Sequence, residues 1–317
     1  MPGLQNLKRA LQRRILSPNL TRQAYILLTL TTLFWGGNSV AGKMASGEIS
    51  PMLLTLARWV VAALIVFAFA LPDVRRDWPV IRKNLGLLFL FGALGFTLFN
   101  VILYTALTKT SAVSSSIVQA AIPASVYALN FLVFRVRTTV WQIAGFVVTL
   151  SGVMAVAARG DFSRLASLDL NEGDALVLAA VVIYSLYTVC LRFKPNISWK
   201  SLIAALSLSA ALTSIPFAAW EWSSGRLILP GPTGWLIVLY TGIFPSILSQ
   251  VFFIRGVELI GANRAGIFTN LIPIFGTGLA ILIIGEPLEK YHIAALVLVV
   301  AGIWLAERKA GHPRTSL

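Results

Sequence analysis

The sequence predicts an all-α integral membrane protein: ten transmembrane helices, built as two inverted five-helix repeats around a central cavity, with both termini cytoplasmic. Three features of the 317-residue chain predict it. Apolar windows of about 20 residues recur along its length, basic residues crowd alternate loops, and the chain matches itself at an offset near 150 residues.

The chain is 57% hydrophobic and 12% charged, with a mean hydropathy of +0.81, against roughly half apolar and about a quarter charged in soluble domains. Apolar stretches lie at 22–45, 51–71, 84–106, 112–133, 139–158, 173–191, 199–220, 233–255, 262–284 and 289–307. Each suits a hydrocarbon core of about 30 Å. None alternates with the period of a strand, and a lipid-exposed backbone must satisfy its own N–H and C=O groups, so the expectation is helices.

The charge pattern sets the orientation. A net charge of +14 raises nucleic acid as a partner, but its distribution points to the lipid bilayer instead. Threading the spans with the N-terminus inside places Lys8, Arg9, Arg13, Arg14 and Arg22, then Arg75, Arg76, Arg82 and Lys83, then Arg135, Arg137, Arg192, Lys194, Lys200, Arg255, Arg264, Arg308, Lys309 and Arg314 on the cytoplasmic side. Lys43, Arg58, Lys109, Arg159, Arg164, Arg226 and Lys290 remain on the outer half, where the longest loop carries Asp161, Asp169, Glu172 and Asp174. Positive charge is retained inside during insertion, so this asymmetry reads as topology. The first apolar segment is too long for a signal-peptide core and lacks a small-residue cleavage site, so it is expected to stay attached. The single Cys190 permits neither an intramolecular disulfide nor a cysteine metal cluster, and is expected to behave as a small hydrophobe.

The repeat follows from sliding the chain on itself. A shift of 150 places Ala112 on Ala262, Ile117 on Ile267, Ile122-Pro123 on Ile272-Pro273 and Gly152 on Gly302 without a gap. It also pairs Asn100 with Gln250 and Gly95 with Pro245, while a shift of 149 sets Trp35 on Tyr184 and Asn38 on Tyr187. Five is odd, so successive five-helix units joined by short connections insert upside down relative to one another. The expected divisions are a basic arm at 1–21, a first repeat at 22–158, a periplasmic linker at 159–172, a second repeat at 173–308 and a tail at 309–317.

A path for a solute needs polar groups and interrupted helices at matching places in the two halves. Pro123 and Pro273 are such a pair, since each lacks an N–H and frees the carbonyl four residues earlier, on Gln119 and Thr269. Gly95 and Pro245 are a second pair of helix weakeners. The amides of Gln119, Asn270, Asn100 and Gln250 can donate to a carboxylate or accept from an amino group, or they glue helices and patch the proline kinks. Trp35, Asn38, Tyr184 and Tyr187 offer apolar faces with polar tips. Trp59, Trp78, Trp141, Trp199, Trp220, Trp222 and Trp235 fit an interfacial belt. Arg58 lies about seven residues, roughly 10 Å, inside the second span, where an ionised group is costly and calls for a partner, a carbonyl or a substrate carboxylate. Lys43, near a span end, is placed to snorkel.

Four segments carry a resemblance to a known family: Leu33 to Lys43 (LFWGGNSVAGK), Arg58-Trp59, Tyr104 to Ala112 (YTALTKTSA) and Ile284 to Leu288 (IGEPL). Together they resemble the drug/metabolite transporter superfamily, EamA type, over nearly the whole chain, and within it the bacterial aromatic amino-acid exporters (YddG-type). The resemblance implies ten helices in two inverted repeats around a central cavity, and amino acids or similar metabolites as substrates. The Gly-Glu-Pro turn stands only in the second repeat, where Phe134-Arg-Val-Arg137 occupies the first, and is treated as a loop marker.

The reading is therefore a secondary carrier and not an enzyme, with a small-molecule substrate, no cofactor, no metal and no nucleic acid, placed in the bacterial inner membrane. A passive channel and a membrane enzyme acting on lipid phosphates are the alternatives. The enzyme would need acids or histidines within the membrane, and all carboxylates fall in loops or near span ends. A Gly-rich phosphate loop ending in Gly-Lys-Ser/Thr is absent from the sequence, which disfavours direct ATP hydrolysis.

Overall fold

A computed structural model describes residues 18–135, 139–161 and 171–307. The basic arm up to residue 17, the turn at 136–138, most of the acidic outer loop and the tail from 308 onwards lie outside the described residues. Within them every regular element is helical.

In chain order the helices are α1 (Pro18–Met44) and α2 (Pro51–Ile81), then α3 in three pieces, Leu85–Gly92, Ala93–Leu98 and Phe99–Leu107. The first half closes with α4 (Ala112–Gln119 and Ile122–Phe134) and α5 (Val140–Ala157). The second half runs through α6 (Glu172–Cys190), α7 (Trp199–Ser223) and α8 (Pro232–Ile243, Phe244–Leu248 and Ser249–Ile260). It ends with α9 (Ala262–Phe268, Thr269–Leu271 and Ile272–Ile284) and α10 (Lys290–Glu307). Seven helical runs are long and apolar enough to cross a membrane, and Lys290–Leu305 is a shorter apolar helix.

One of the seven, Pro51–Leu107, is a run of 57 residues, about 85 Å at 1.5 Å per residue and far longer than one crossing. It doubles back at the short 3₁₀ turn Arg82–Asn84. The Trp59 indole donates to the Phe96 carbonyl at 3.2 Å, and Arg58 bonds Asn100, so α2 and α3 are neighbours running in opposite directions.

The distribution of side chains suits lipid as the solvent. Leu64, Leu132, Leu236 and Leu282 stand 65–82% exposed, whereas Thr31, Ser115, Ser185, Ser207 and Thr241 are fully buried. Buried hydroxyls return their hydrogens to the helix, as Ser185 does to Val181 O at 2.7 Å and Thr241 to Ile237 O at 2.8 Å.

Packing follows the duplication. α1 lies against α8 and α9, and its counterpart α6 lies against α3 and α4, while α2 pairs with α7 and α5 with α10. Exchanging the halves maps each contact onto another. The self-paired helices are antiparallel: Gly152 of α5 packs on Ala295 and Val299, while Gly302 of α10 packs on Thr149 and Gly145. A Cβ on Gly152 would stand 2.9 Å from the Ala295 carbonyl oxygen, and one on Gly302 would stand 2.6 Å from the Thr149 nitrogen, so glycine permits this close crossing. Two related helices packed antiparallel require a pseudo-two-fold axis across them, the geometry of inverted halves.

Carboxylates lock helix starts across the same interfaces. Asp77 of α2 accepts from Ser198 N and Ser201 Oγ at 2.8 Å at the start of α7, and Glu221 of α7 accepts from Leu53 N at 3.0 Å and Met52 N at 3.4 Å at the start of α2. Each helix thus receives an acceptor for its orphan N–H groups from the far end of its partner. Glu286 does the same for α4, taking Ala112 N at 2.8 Å and Val113 N at 2.9 Å. The Gly-Glu-Pro turn is thus more than a loop marker. Lys43, rather than snorkelling, donates to the Leu107 and Thr110 carbonyls at 3.1 and 2.7 Å and closes the end of α3.

Candidate functional site

The site begins with breaks in four helices. In α4 the regular helix stops at Gln119 and resumes at Ile122-Pro123; in α9 it passes through a 3₁₀ turn, Thr269–Leu271, and resumes at Ile272-Pro273. Proline at the second position of each resumed helix removes an N–H and leaves a carbonyl of the preceding turn unused. Gly95 falls in a π-helical segment of α3 (Ala93–Leu98), and Pro245 falls in the matching segment of α8 (Phe244–Leu248). Such π segments widen a helix locally and often sit at functional sites.

Between these breaks lies a cavity of about 500 Å³, of the size that takes a small metabolite. Trp35, Asn38, Arg58, Asn100, Gln119, Tyr184, Tyr187, Gln250 and Asn270 all line it, with Gly95, Pro123 and Pro245. Pro273 does not; it is buried behind the wall. Trp59, expected in the interfacial belt, is 3% exposed and lines the cavity, stacked on Phe96 with centroids 4.5 Å apart. Its indole N–H is satisfied by a carbonyl inside the bundle, which removes the usual reason for that ring to sit at the lipid headgroups.

Arg58 is the ionised side chain among the described residues that line the cavity, and it is 3% exposed. Its Nη1 donates to Asn100 Oδ1 at 2.7 Å, to Asn38 Oδ1 at 3.1 Å and to the Tyr104 hydroxyl. Nε and Nη2 both donate to Ser246 Oγ, at 3.1 and 2.6 Å. The Ser246 hydroxyl hydrogen is committed to the Thr241 carbonyl at 2.8 Å, the carbonyl that Pro245 leaves without its N–H partner. Pro245 thereby orients Ser246, and Ser246 presents only lone pairs to Arg58. Tyr104 adds a bond of its own to Asn38 Oδ1 at 2.9 Å. Every partner is neutral, and the guanidinium also lies 5.0 Å from the Trp59 ring centroid, a favourable cation–π distance.

The lining also carries amides. Gln119 lines the cavity and donates through Nε2 to Ser39 Oγ at 2.8 Å and to Ser115 Oγ at 3.1 Å. Asn270 Oδ1 is buried without a hydrogen-bond partner, an arrangement that costs free energy unless something fills it. Four lining residues form a chain of rings: Phe96 meets Tyr187 at 5.9 Å, Tyr187 meets Tyr184 at 5.5 Å, and Tyr184 meets Phe99 at 4.9 Å. Trp35 packs on Phe253 at 5.5 Å and donates to the Pro245 carbonyl at 3.3 Å.

Sequence reasoning had no signal for Ser246. A serine after proline is unremarkable until the fold carries it to an arginine 188 positions away. Tyr104 stood in the motif used for the family resemblance, but its role in holding Arg58 and Asn38 together rests on three separate helices.

A duplicated bundle of apolar helices around a largely apolar cavity, with a few convergent polar groups, is the architecture of a multi-pass membrane protein. The EamA-like transporter family matches the chain twice, over residues 22–158 and 171–307, and the chain belongs to that family. It is 27% identical over 292 residues to the uncharacterized transporter YetK of Bacillus subtilis, an alignment covering 92% of this chain and 88% of that one. The uncharacterized inner membrane transporter YicL of Salmonella typhimurium is 23% identical over 303 residues, covering 90% of this chain and 95% of YicL. A crystal structure with 18% sequence identity superposes with a TM-score of 0.62 over 92% of this chain and 99% of that chain, a likeness of fold.

Proposed function

We propose that the protein is an alternating-access secondary carrier that exports amino acids, aromatic or neutral ones, and related small metabolites across the bacterial inner membrane. The observation that carries this reading is a cavity lined by both halves that brings together the buried cation of Arg58, the amides of Gln119, Gln250 and Asn270, and aromatic rings. Arg58 takes the substrate carboxylate, helped by Asn38 and Asn100. Gln119, Gln250 and Asn270 take a donor group at the other end. Trp35, Tyr184 and Tyr187 stack on the body of the molecule. Pro123, Pro273, Gly95 and Pro245 are the pliable points about which the halves rock.

Ten passes with both termini in the cytoplasm complete the proposal. Pro51–Leu107 contributes two passes, and α1 and α10 bring 27 and 18 residues, about 40 and 27 Å at a rise of 1.5 Å per residue. The basic groups at Arg75–Lys83 and Arg192–Lys200 stand at one end of the bundle, joined through Asp73–Lys200 at 3.3 Å and the Asp77 cap, as the positive-inside rule requires of a single cytoplasmic face.

Purified protein in liposomes, tested against labelled amino acids, nucleosides and amphipathic drugs, decides the reading. Saturable, competable flux of an amino acid is expected. Flux that rises without saturation would mean a channel, and no flux of any amino acid under any gradient would sink the substrate class.

A further inference from the structure

We propose that the preferred cargo is a net monoanion, a carboxylic acid with an aromatic or apolar body and no compensating ammonium group, and that the membrane potential by itself drives it outward. This rests on the carrier reading above and shifts the preferred cargo from the amino acids themselves to related carboxylic acids that lack an ammonium group.

Arg58 is the ionised group on the cavity wall, and its hydrogen-bond partners are the amide oxygens of Asn38 and Asn100 and the hydroxyls of Ser246 and Tyr104. Neutral acceptors solvate a guanidinium but leave its charge in place. No described carboxylate lines the cavity. Asp77, Glu221 and Glu286 are committed to helix starts, and Asp174 accepts from Thr110. The protein groups around the cavity therefore contribute one uncompensated positive charge in a low-dielectric setting, where an unpaired charge is costly.

A monoanion cancels that charge, and a planar carboxylate matches the guanidinium fork. A zwitterion leaves the total at plus one and adds an ammonium with no acid to pair it. The amide oxygens of Gln119, Gln250 and Asn270 accept hydrogen bonds from a hydroxyl or a neutral N–H, but they supply no opposite charge. The unpartnered Asn270 Oδ1 is thus better matched to a hydroxylated or N–H-bearing acid than to an ammonium. The rings from Phe96 to Phe99 accept the apolar body. Each cycle then moves one negative charge, which an inside-negative potential pushes out of the cell. The described residues of the cavity wall include no acid or histidine, and export of a monoanion requires no proton relay.

The test compares phenylpyruvate with phenylalanine, which differ at C2 by an oxo group in place of the ammonium. In proteoliposomes, kcat/KM for phenylpyruvate is expected to exceed that for phenylalanine by about tenfold or more, the effect of one unpaired buried charge. Its efflux should accelerate several-fold when a potassium gradient with valinomycin makes the interior negative. Arg58→Gln should abolish the preference, while Arg58→Lys retains part of it; the potential dependence belongs to the anion's own charge and is expected wherever phenylpyruvate still moves. Equal or better handling of phenylalanine, or phenylpyruvate efflux indifferent to the potential, overturns the inference and leaves the carrier standing. If neither compound moves with wild-type protein that is monodisperse and folded, both the inference and the amino-acid reading fall. The potential dependence is read on wild-type protein, so it stands even if the Arg58 variants misfold.

Discussion

Ser246 Oγ receives two hydrogen bonds from Arg58, at 3.1 Å from Nε and 2.6 Å from Nη2, and this one oxygen ties the first half of the chain to the second at the cavity wall. Its lone pairs are free for the task because its own hydrogen bonds the Thr241 carbonyl. The arrangement makes Ser246 a hinge between backbone irregularity and charge placement.

Removing that oxygen should be felt in two places. Ser246→Ala strands two Arg58 donors and the Thr241 carbonyl, and buried polar groups that lose a partner cost about 1–3 kcal/mol each. A lower Tm in detergent is expected, together with weaker substrate binding. Ser246→Thr keeps the hydroxyl and should recover most of the Tm. An unchanged Tm in Ser246→Ala would show that the contact is not formed in the protein.

The carboxylate caps should carry stability rather than transport. Glu221→Ala and Glu286→Ala each remove an acceptor shared by two helix-start N–H groups, and loss of such a cap costs about 1–2 kcal/mol. The two sites are independent, so the losses should add in the double variant, as they do for sites without shared partners. Thermal unfolding of the three variants checks this, with substrate KM expected to stay near its wild-type value.

Gly95 bears directly on the shape of the cavity. A Cβ at this position would lie 2.4–2.6 Å from ring atoms of Tyr187, so Gly95→Ala must displace that ring into the cavity. Loss of transport well beyond the loss of Tm is expected, about tenfold or more from a misplacement on the order of 1 Å at the site. Adding Tyr187→Leu should restore part of the flux by making room. A Gly95→Ala variant with full activity would remove this segment from the substrate path.

The amides that line the cavity separate binding from folding. Asn270 Oδ1 has no partner, so Asn270→Ala loses no hydrogen bond at that atom and relieves its desolvation cost, and stability should stay the same or rise slightly. Gln119→Ala gives up bonds to Ser39 and Ser115 and should lower stability by about 1 kcal/mol. Both should reach the membrane and both should impair flux. Unchanged flux in the pair would exclude these amides from the site.

Much of this protein is decided by local chemistry and so is legible in the chain. Apolar length fixes which segments can enter lipid, because no unsatisfied backbone survives there. The breaks at Pro123, Pro273 and Pro245 follow from a missing N–H, a covalent property that no environment restores. The matched pairs Gly95–Pro245 and Gly152–Gly302 follow from duplication, which the sequence carries openly.

The tertiary structure alone decided which side chains face one another. Trp59 carries the same ring as Trp78 or Trp222, yet it is buried against Phe96 while those two are 50% and 74% exposed, because a carbonyl of α3 lies within reach of its N–H. Glu286 reads as a turn residue until α4 begins beside it. Arg58 announces a buried charge, but its neutral cage draws on residues 38, 100, 104 and 246. Side-chain hydrogen bonds are short-ranged and span separations of 20 to 188 positions here, so sequence spacing carries no trace of them until packing brings the helices together.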